Sequence, residues 1–133
     1  MNTEAIGHKP TDVDVVHIID DDESTRRALT RLMRSAGLQG RAYASVTEFR
    51  QSNFQTTGGC IVADVHMAGD NSLLLPEQLR EIGVNMAVIF ITADYSAETR
   101  ERIRKAGGRG YFAKPVDDQA LIDMIRWALR SPE

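Results

Sequence analysis

Short apolar runs alternate along this chain of 133 residues with segments whose apolar residues recur at helical spacing. Three of the runs, at residues 15–19, 60–63 and 87–91, have the length and composition of strands that are buried on both faces. Residues 41–43 and 110–113 predict two shorter strands. The pattern therefore predicts five strands in a chain that is long enough to form one domain.

Local signals place a helix after each predicted strand. Gly37 is expected to end the first helix, and Ser45 with Glu48 forms a capping box that opens a short second one. Residues 96–106 predict a charged fourth helix, and Asp117 is expected to cap the fifth. The apolar stripe of that last helix comprises Ala120, Leu121, Met124, Ile125 and Ala128. The alternation predicts an α/β fold, a doubly wound parallel sheet with helices on both faces.

The third helix is interrupted in sequence by Pro76, which follows three consecutive leucines. Proline fits the first turn of a helix and disfavours the helical conformation in the residue before it. We therefore predict a short helix that begins near Pro76 and leaves Leu75 outside it. An irregular loop that holds the three leucines is expected to precede this helix.

Four predicted strands end in polar side chains. These are Asp20 and Asp21 after the first strand, Asp64 after the third, Thr92 after the fourth and Lys114 after the fifth. Because the carboxyl ends of parallel strands meet at one edge of a sheet, we expect these groups to converge. Adjacent carboxylates repel one another unless a cation lies among them. The pattern predicts a phosphoryl-transfer site built around a hard metal ion, whereas the third acid of the run, Asp22, is better explained as a helix cap.

Composition and charge narrow the classes of function. The net charge of −3 gives no support for nucleic-acid binding, and the arginines of residues 100–105 are interleaved with glutamates as on a solvated helix face. Cys60 is the only cysteine, which excludes an internal disulfide and suggests a small core residue. Residues 1–13 predict a flexible tail without the apolar region of a signal peptide, and no segment has the length of a membrane span. We expect a cytoplasmic protein with one domain at residues 14–130.

The chain resembles the receiver domain of bacterial two-component response regulators. The motifs that carry the resemblance are Ile19-Asp20-Asp21-Asp22-Glu23, Val62-Ala63-Asp64-Val65, Ile91-Thr92-Ala93 and Tyr111-Phe112-Ala113-Lys114-Pro115. Each motif is weak alone, but all four occur in the family's order and each lies at the end of a predicted strand. The resemblance implies a flavodoxin-like strand order, 2-1-3-4-5, and a phospho-accepting switch that assists its own phosphorylation and dephosphorylation, rather than an enzyme.

The resemblance also implies a role for each polar strand end. Asp64 would accept a phosphoryl group from a histidine kinase or a phosphotransfer protein, with Lys114 and Thr92 contacting the group. Mg²⁺, with Mn²⁺ as an alternative, would be bound by Asp21, Asp64 and the backbone carbonyl of His66, and by Asp20 directly or through water.

The same resemblance implies a conformational switch and points to residues that could control the lifetime of the phosphoryl group. Thr92 would move toward the phosphoryl group, and the ring of Tyr111 would turn into the space it leaves. His66 and Asp94 match positions that flank the attacking water in this family. We hypothesise that they set the lifetime of the phosphoryl group, and the alternative is that both are ordinary loop residues.

The chain departs from the family pattern in the loop after Asp64. Residues 66–70 read His-Met-Ala-Gly-Asp where a methionine–proline pair is usual, so we expect a more mobile loop. The sequence leaves open whether the peptide bond before Pro115 is cis or trans.

The signalling output is less defined by sequence than the site. Because no output domain is expected after the fifth helix, the chain is interpreted as a stand-alone receiver that acts through protein contacts; the alternative is the receiver half of a longer DNA-binding transcription regulator. Neither DNA binding by this chain nor membrane binding is expected. The resemblance implies a signalling face on helix 4, strand 5 and helix 5 for an effector or a phosphorylation-dependent homodimer. Trp127 either flanks that face or packs against a neighbouring helix.

A Mg²⁺-dependent phosphohydrolase with an aspartate nucleophile is the alternative from a different class. Such enzymes use a second acid shortly after the nucleophile and an inserted cap over the substrate. Asp70 lies too far beyond Asp64 for that role, and the chain has no room for a cap. The phospho-accepting switch is therefore favoured.

Overall fold

A computed structural model describes residues 14–130 of the chain, and the predicted tail at residues 1–13 lies outside them. Five strands form one parallel sheet in the order β2-β1-β3-β4-β5. In chain order the elements are β1 Asp14–Ile19, α1 Glu23–Ser35, β2 Gln39–Tyr43, α2 Val46–Arg50, β3 Gly58–Asp64, α3 Leu75–Glu81, β4 Ala87–Thr92, α4 Ala97–Ala106, β5 Gly110–Ala113 and α5 Asp118–Arg130. The predicted fold class and strand order are confirmed.

The sheet separates two apolar layers, as its strand composition requires. Alternate side chains of a strand point to opposite faces, so β1 sends Ile18 into one layer and Ile19 into the other. Ile18 packs with residues of α1 and α5 that include Met33 and Ile125. Ile19 packs in the layer that α2, α3 and α4 cover. The central strands are buried on both faces, and because they run parallel their carboxyl ends meet at one edge of the sheet.

Side-chain caps begin the helices where the sequence predicts them. Asp22 accepts the backbone N–H of the residue three positions on, and its pKa is lowered by the hydroxyl groups of that residue, Thr25, and of Ser24. Asp117 caps α5 in the same way. At α2 the Ser45 hydroxyl accepts the backbone N–H of Glu48, which is one of the two hydrogen bonds of the predicted capping box.

The start of α3 differs from the prediction. Leu75 is helical, with φ −57° and ψ −48°, and it is the first residue of α3, while Pro76 occupies the first turn. A 3₁₀ turn, Ser72–Leu74, precedes the helix, so the prediction of an irregular loop is wrong and the prediction of a short helix near Pro76 is confirmed. Leu75 is fully buried in the apolar layer. The free energy gained by burying the Leu75 side chain offsets the tendency of a residue before proline to avoid the helical conformation.

The buried side of α5 is close to the predicted stripe. Leu121, Ile125 and Ala128 are buried as expected, and Ile122 is buried as well although the stripe did not include it. Ala120 and Met124 are only half-buried. Within residues 14–130 no helix has both the length and the apolar character needed to cross a membrane.

His17 is a fully buried polar residue within β1. Its Nε2 lies 3.1 Å from the hydroxyl oxygen of Thr57, and that hydroxyl donates to the carbonyl of Phe54. The Thr57 oxygen therefore accepts a hydrogen bond from the Nε2–H group, and Nδ1 accepts a hydrogen bond from the Tyr43 hydroxyl at 2.9 Å. The ring of Phe49 also packs edge-on against the imidazole. With Nε2 as donor and Nδ1 as acceptor the imidazole is neutral, in agreement with the lowered pKa of this buried group.

Acidification is expected to destabilise the fold through His17. Burial, with a smaller contribution from Arg41, lowers the pKa of His17 from 6.5 to about 4. Between these values the unfolded chain binds the proton and the folded one does not, so the free energy of unfolding falls as the pH is lowered. From pH 7 to pH 5 we expect a loss of about 2 kcal/mol that a His17→Leu variant lacks. Urea unfolding of both proteins at the two pH values measures it, and equal acid sensitivity in both would contradict the assignment.

Candidate functional site

Three carboxylates meet at the carboxyl edge of the sheet. Asp20 and Asp21 follow β1 and Asp64 ends β3, and each contributes an oxygen to a group whose members lie within 4.8 Å of one another. Asp20 is fully buried, Asp64 is only 5% exposed, and Asp21 lies at the surface. Burial of two adjacent acids is costly unless cations balance them.

Lys114 brings one positive charge to this acid cluster from the end of β5. Its Nζ lies 3.0 Å from Oδ2 of Asp20 and 3.2 Å from Oδ2 of Asp64. Burial lowers the pKa of Lys114, but the hydrogen bonds and charges of Asp20 and Asp64 outweigh that effect and hold the pKa above its ordinary value. One ammonium for three carboxylates leaves the cluster short of positive charge when all three are ionised.

Asp64 occupies the middle of the cluster. Its Oδ1 accepts the backbone N–H of His66 at 3.2 Å, and its Oδ2 faces Lys114. Burial raises the pKa of Asp64; the His66 N–H opposes this shift, and the nearby Asp20 adds to it. The carbonyl of Asp64 accepts the hydroxyl of Ser72 at 2.6 Å, which ties the end of β3 to the turn before α3. The carboxylate is therefore fixed in position and destabilised as an anion, two properties that suit a nucleophile.

The loop after β3 closes over one side of the cluster. The backbone N–H of Ala68 donates to Oδ2 of Asp21 at 3.3 Å, so this loop is attached to the acid run after β1. Gly69 adopts φ +78°, a left-handed conformation that glycine accepts without strain because it has no Cβ. The greater mobility expected of this loop stays a prediction.

The donor set fits a hard divalent cation. The acid cluster offers three carboxylate oxygens that lie within 4.8 Å of one another, and the single ammonium of Lys114 does not balance three ionised acids. Mg²⁺ prefers oxygen ligands and retains several of its waters. The exposure of Asp21 leaves one side of the cluster open to water.

Thr92 is fully buried at the end of β4 and bonds within its own turn. Its hydroxyl donates to the backbone carbonyl of Asp94 at 3.0 Å and accepts the backbone N–H of Asp94 at 2.9 Å. Lys114 is brought close to Thr92 through the backbone, because the N–H of Lys114 donates to the carbonyl of Thr92. In this conformation the Thr92 hydroxyl is therefore engaged away from the acid cluster. The peptide bond between Lys114 and Pro115 is cis, which resolves the question left open by sequence.

His66 and Asp94 each lie two residues beyond the end of a strand, β3 or β4, and we call the gap between their side chains the mouth of the site. Nε2 of His66 is 3.9 Å from Oδ2 of Asp94, and both side chains are about half exposed. The hydroxyl of Thr99 and the N–H of Ser96 lower the pKa of Asp94 by donating to its carboxylate. The resemblance implies that both residues flank one attacking water, and the distance between their side chains comes from the structure alone.

Tyr111 and Trp127 lie on the surface formed by α4, β5 and α5. Tyr111 is 36% exposed, and its ring centroid is 5.6 Å from that of Tyr95, a contact that the sequence analysis missed. Trp127 is 46% exposed, and the guanidinium of Arg109 lies 5.1 Å from its ring centroid. Trp127 is thus accessible at the surface, as a partner-binding role requires.

Comparisons with known proteins agree with this geometry. The family model described as response regulator receiver domain matches residues 16–126. The transcriptional regulatory protein FixJ of Azorhizobium caulinodans is 37% identical over 89% of this chain and 56% of its own length. The response regulator protein TmoT of Ectopseudomonas mendocina is 34% identical over 87% of this chain and 53% of its own. The chain thus spans about half the length of these curated relatives.

Solved structures show the same fold. The response regulator StyR superposes with a TM-score of 0.80 at 34% identity, over 89% of this chain and 60% of that one. A response regulator receiver protein from Burkholderia phymatum gives a TM-score of 0.77 at 36% identity, over 88% of this chain and 95% of that one. With the acid cluster and Lys114 at the carboxyl edge of a 2-1-3-4-5 sheet, these matches establish that the chain belongs to the response regulator receiver domain family.

Proposed function

We propose that this receiver accepts one phosphoryl group on Asp64 and changes its protein contacts when it does so. The observation that supports Asp64 most strongly is its Oδ2, held 3.2 Å from Lys114 Nζ in a nearly buried cluster with two further acids. Asp20 is buried completely, and Asp21 is exposed and bonded to the loop after β3. Asp64 combines a fixed position with a raised pKa.

The proposed transfer forms one bond and breaks another at phosphorus. A carboxylate oxygen of Asp64 attacks the phosphorus of a phosphohistidine, and the P–N bond breaks with its electron pair passing to the imidazole nitrogen. Lys114 is already within hydrogen-bonding distance of Asp64, so its ammonium can stabilise the negative charge on the phosphoryl oxygens during transfer. The donor would be a histidine kinase or a phosphotransfer protein.

Asp21, Asp64 and the backbone carbonyl of His66 are the proposed ligands of Mg²⁺ or Mn²⁺, with Asp20 binding directly or through water. When bound, the ion neutralises negative charge on the acids and on the phosphoryl oxygens. The acids themselves orient the site: Asp20 holds Lys114 in place, and Asp21 holds the loop that carries His66 and Ala68.

The proposed switch uses Thr92 and Tyr111, which lie on the same face of the sheet. In the β4–β5 register Phe90 pairs with Tyr111, and Thr92 pairs with Ala113. Tyr111 therefore lies two residues before the partner of Thr92, with its side chain on the same face. A phosphoryl group on Asp64 would attract the Thr92 hydroxyl away from Asp94, and the Tyr111 ring would turn inward. The phosphoryl contacts favour a minor conformer that exists beforehand.

The proposed output surface consists of α4, β5 and α5, with Trp127 on its edge, and its partner is an effector or a second copy of this chain. A second candidate function is the receiver half of a longer DNA-binding transcription regulator. One observation favours it: FixJ, a transcriptional regulatory protein, extends well beyond the part that this chain matches. We propose no direct DNA contact by residues 14–130 in either case.

We further propose that His66 and Asp94 set the lifetime of the phosphoryl group. Their side chains face each other at 3.9 Å across the site's mouth. In this position they would restrict the approach of water to a phosphoryl group on Asp64. His66→Ala or Asp94→Ala should change the autodephosphorylation rate about three- to tenfold, equivalent to roughly 1 kcal/mol of barrier. Decay of the phosphorylated protein after donor removal measures this rate. His17→Leu, which changes a histidine outside the mouth, is the control, and decay rates equal to wild type in both mouth variants would contradict the proposal.

Phosphorylation by a small donor tests the proposed function. The protein is incubated with acetyl phosphate and Mg²⁺, and intact mass is followed with and without a chelator. We expect the mass of one added phosphoryl group, formed only with the divalent ion. Continuous release of inorganic phosphate at catalytic rates would instead support a phosphohydrolase. If no adduct is seen, binding of a beryllium fluoride complex separates a short-lived phosphoryl group, which predicts binding, from an inactive site, which predicts none.

A further inference from the structure

Tyr95 lies next to both residues of the proposed switch. It directly follows Asp94, whose backbone N–H and carbonyl hold the Thr92 hydroxyl at 2.9 and 3.0 Å. Its own ring is tilted by 52° against the ring of Tyr111, with 5.6 Å between the centroids. A single turn between β4 and α4 therefore contacts Thr92 through its backbone and Tyr111 through a side chain.

Arg100 extends this contact into a three-membered stack. Its guanidinium carbon lies 5.2 Å from the centroid of the Tyr95 ring, within the range of a cation–π interaction. Tyr95 is 45% exposed and Tyr111 is 36% exposed, so the stack occupies the surface and leaves the Tyr111 ring outside the core. We call this set of three residues, Arg100, Tyr95 and Tyr111, the aromatic stack.

The turn that carries Tyr95 is held firmly on both sides. The carboxylate of Asp94 accepts the N–H of Ser96 at 3.1 Å and the hydroxyl of Thr99 at 2.9 Å. Thr99 is almost fully buried in α4, and Ser96 is the cap of that helix. The backbone that carries Tyr95 is therefore tied to the first turn of α4.

We propose that Tyr95 is a positioning residue that holds Tyr111 outward and so holds the receiver in its resting conformer. The inference rests on the proposed function, because it assigns a control to that switch. Turning Tyr111 inward requires the loss of its contact with Tyr95, so the aromatic stack raises the free energy of the inward conformer relative to the outward one. Loss of one aromatic contact of this kind corresponds to about a three- to tenfold change in the population ratio.

The orientation of Tyr111 can be measured without any phosphodonor. The chain contains three tyrosines, so labelling with 3-fluorotyrosine gives three fluorine signals, which Tyr→Phe variants assign. Tyr43 is buried and bonded to His17, and its signal reports whether each variant remains folded. Saturation-transfer fluorine NMR gives the minor population of Tyr111, and the solvent isotope shift shows whether that population is buried.

Four variants separate the aromatic stack from general packing. Tyr95→Ala removes the ring, Tyr95→Phe keeps it, and Arg100→Ala removes the cation. Arg102→Ala removes a different arginine of α4, one that is exposed, and serves as the control. We expect the buried minor population of Tyr111 to rise about three- to tenfold in Tyr95→Ala and less in Arg100→Ala. Tyr95→Phe and Arg102→Ala should match the wild type.

Affinity for a phosphoryl mimic gives a second readout of the same equilibrium. The apparent Kd for a beryllium fluoride complex with Mg²⁺ scales inversely with the fraction of competent conformer, so it should fall about three- to tenfold in Tyr95→Ala. An unchanged Tyr111 population in Tyr95→Ala, or an equal gain in Tyr95→Phe, would overturn the inference. If no variant bound the complex and no adduct formed with acetyl phosphate, the proposed function would fail, while the Tyr111 population would still decide the role of Tyr95.

Discussion

Asp64→Asn is expected to abolish phosphorylation by acetyl phosphate. The amide has nearly the shape of the carboxylate, but it carries no negative charge and its oxygen is a poor nucleophile, so the P–O bond cannot form at this position. The yield of phosphorylated protein should fall by at least about 100-fold, to the detection limit of intact-mass analysis. A measurement of fold stability checks that the variant remains folded. The hydrogen bond that Asp64 accepts from the His66 N–H can still form, because the amide oxygen is also an acceptor.

Asp70→Asn is the matched control for this result. Asp70 lies in the same part of the chain, six residues beyond Asp64, and its carboxylate accepts the N–H of Val46 at 3.1 Å instead of joining the acid cluster. Its variant should phosphorylate like the wild type. A full adduct in Asp64→Asn, or its loss in Asp70→Asn alone, would show that the nucleophile is a different group.

Lys114→Met is expected to slow phosphorylation while it tightens Mg²⁺ binding. The ammonium lies within 3.2 Å of both Asp20 and Asp64, where it can neutralise charge on the transferring group, and loss of such a contact slows transfer on the order of 100-fold. The same charge repels a divalent cation in the acid cluster, so its removal should lower the Kd for Mg²⁺ several-fold. Mass-resolved phosphorylation rates and a calorimetric Mg²⁺ titration measure the two effects.

The opposite directions of these effects separate an electrostatic role from damage to the fold. A variant that merely disorders the site would lose both phosphorylation and Mg²⁺ binding. Lys105→Met, which removes an exposed lysine from α4, controls for the change in net charge and should alter neither quantity. Weaker Mg²⁺ binding in Lys114→Met would contradict the role assigned to the ammonium.

The sequence predicted the sheet and the residues at its carboxyl edge because both follow from local patterns. An apolar run marks a buried strand, and a polar residue after it marks the edge, so Asp20, Asp64, Thr92 and Lys114 could be assigned to one edge without a structure. The contact of Lys114 with Asp20 as well as Asp64 was not predicted, since it depends on the distance between β1 and β5 across the sheet.

Features that depend on long-range packing could not be read from the sequence. The helical conformation of Leu75 contradicts its local preference because the residue fills a buried site. The hydrogen bond between His17 and Tyr43 joins residues 26 positions apart. The contact between Tyr95 and Tyr111 likewise depends on where the turn before α4 lies relative to β5. In each case tertiary contacts determine the outcome, and no short motif encodes them.

The residue that carries the phosphoryl group can be identified chemically. Borohydride reduces an acyl phosphate to an alcohol, so treatment of the phosphorylated protein converts a phosphorylated aspartate into homoserine. Peptide sequencing by mass spectrometry then locates the modified residue. The account predicts homoserine at position 64 and at no other aspartate. Homoserine at Asp20, Asp21 or Asp70, or a phosphorylated protein that yields none, would contradict it.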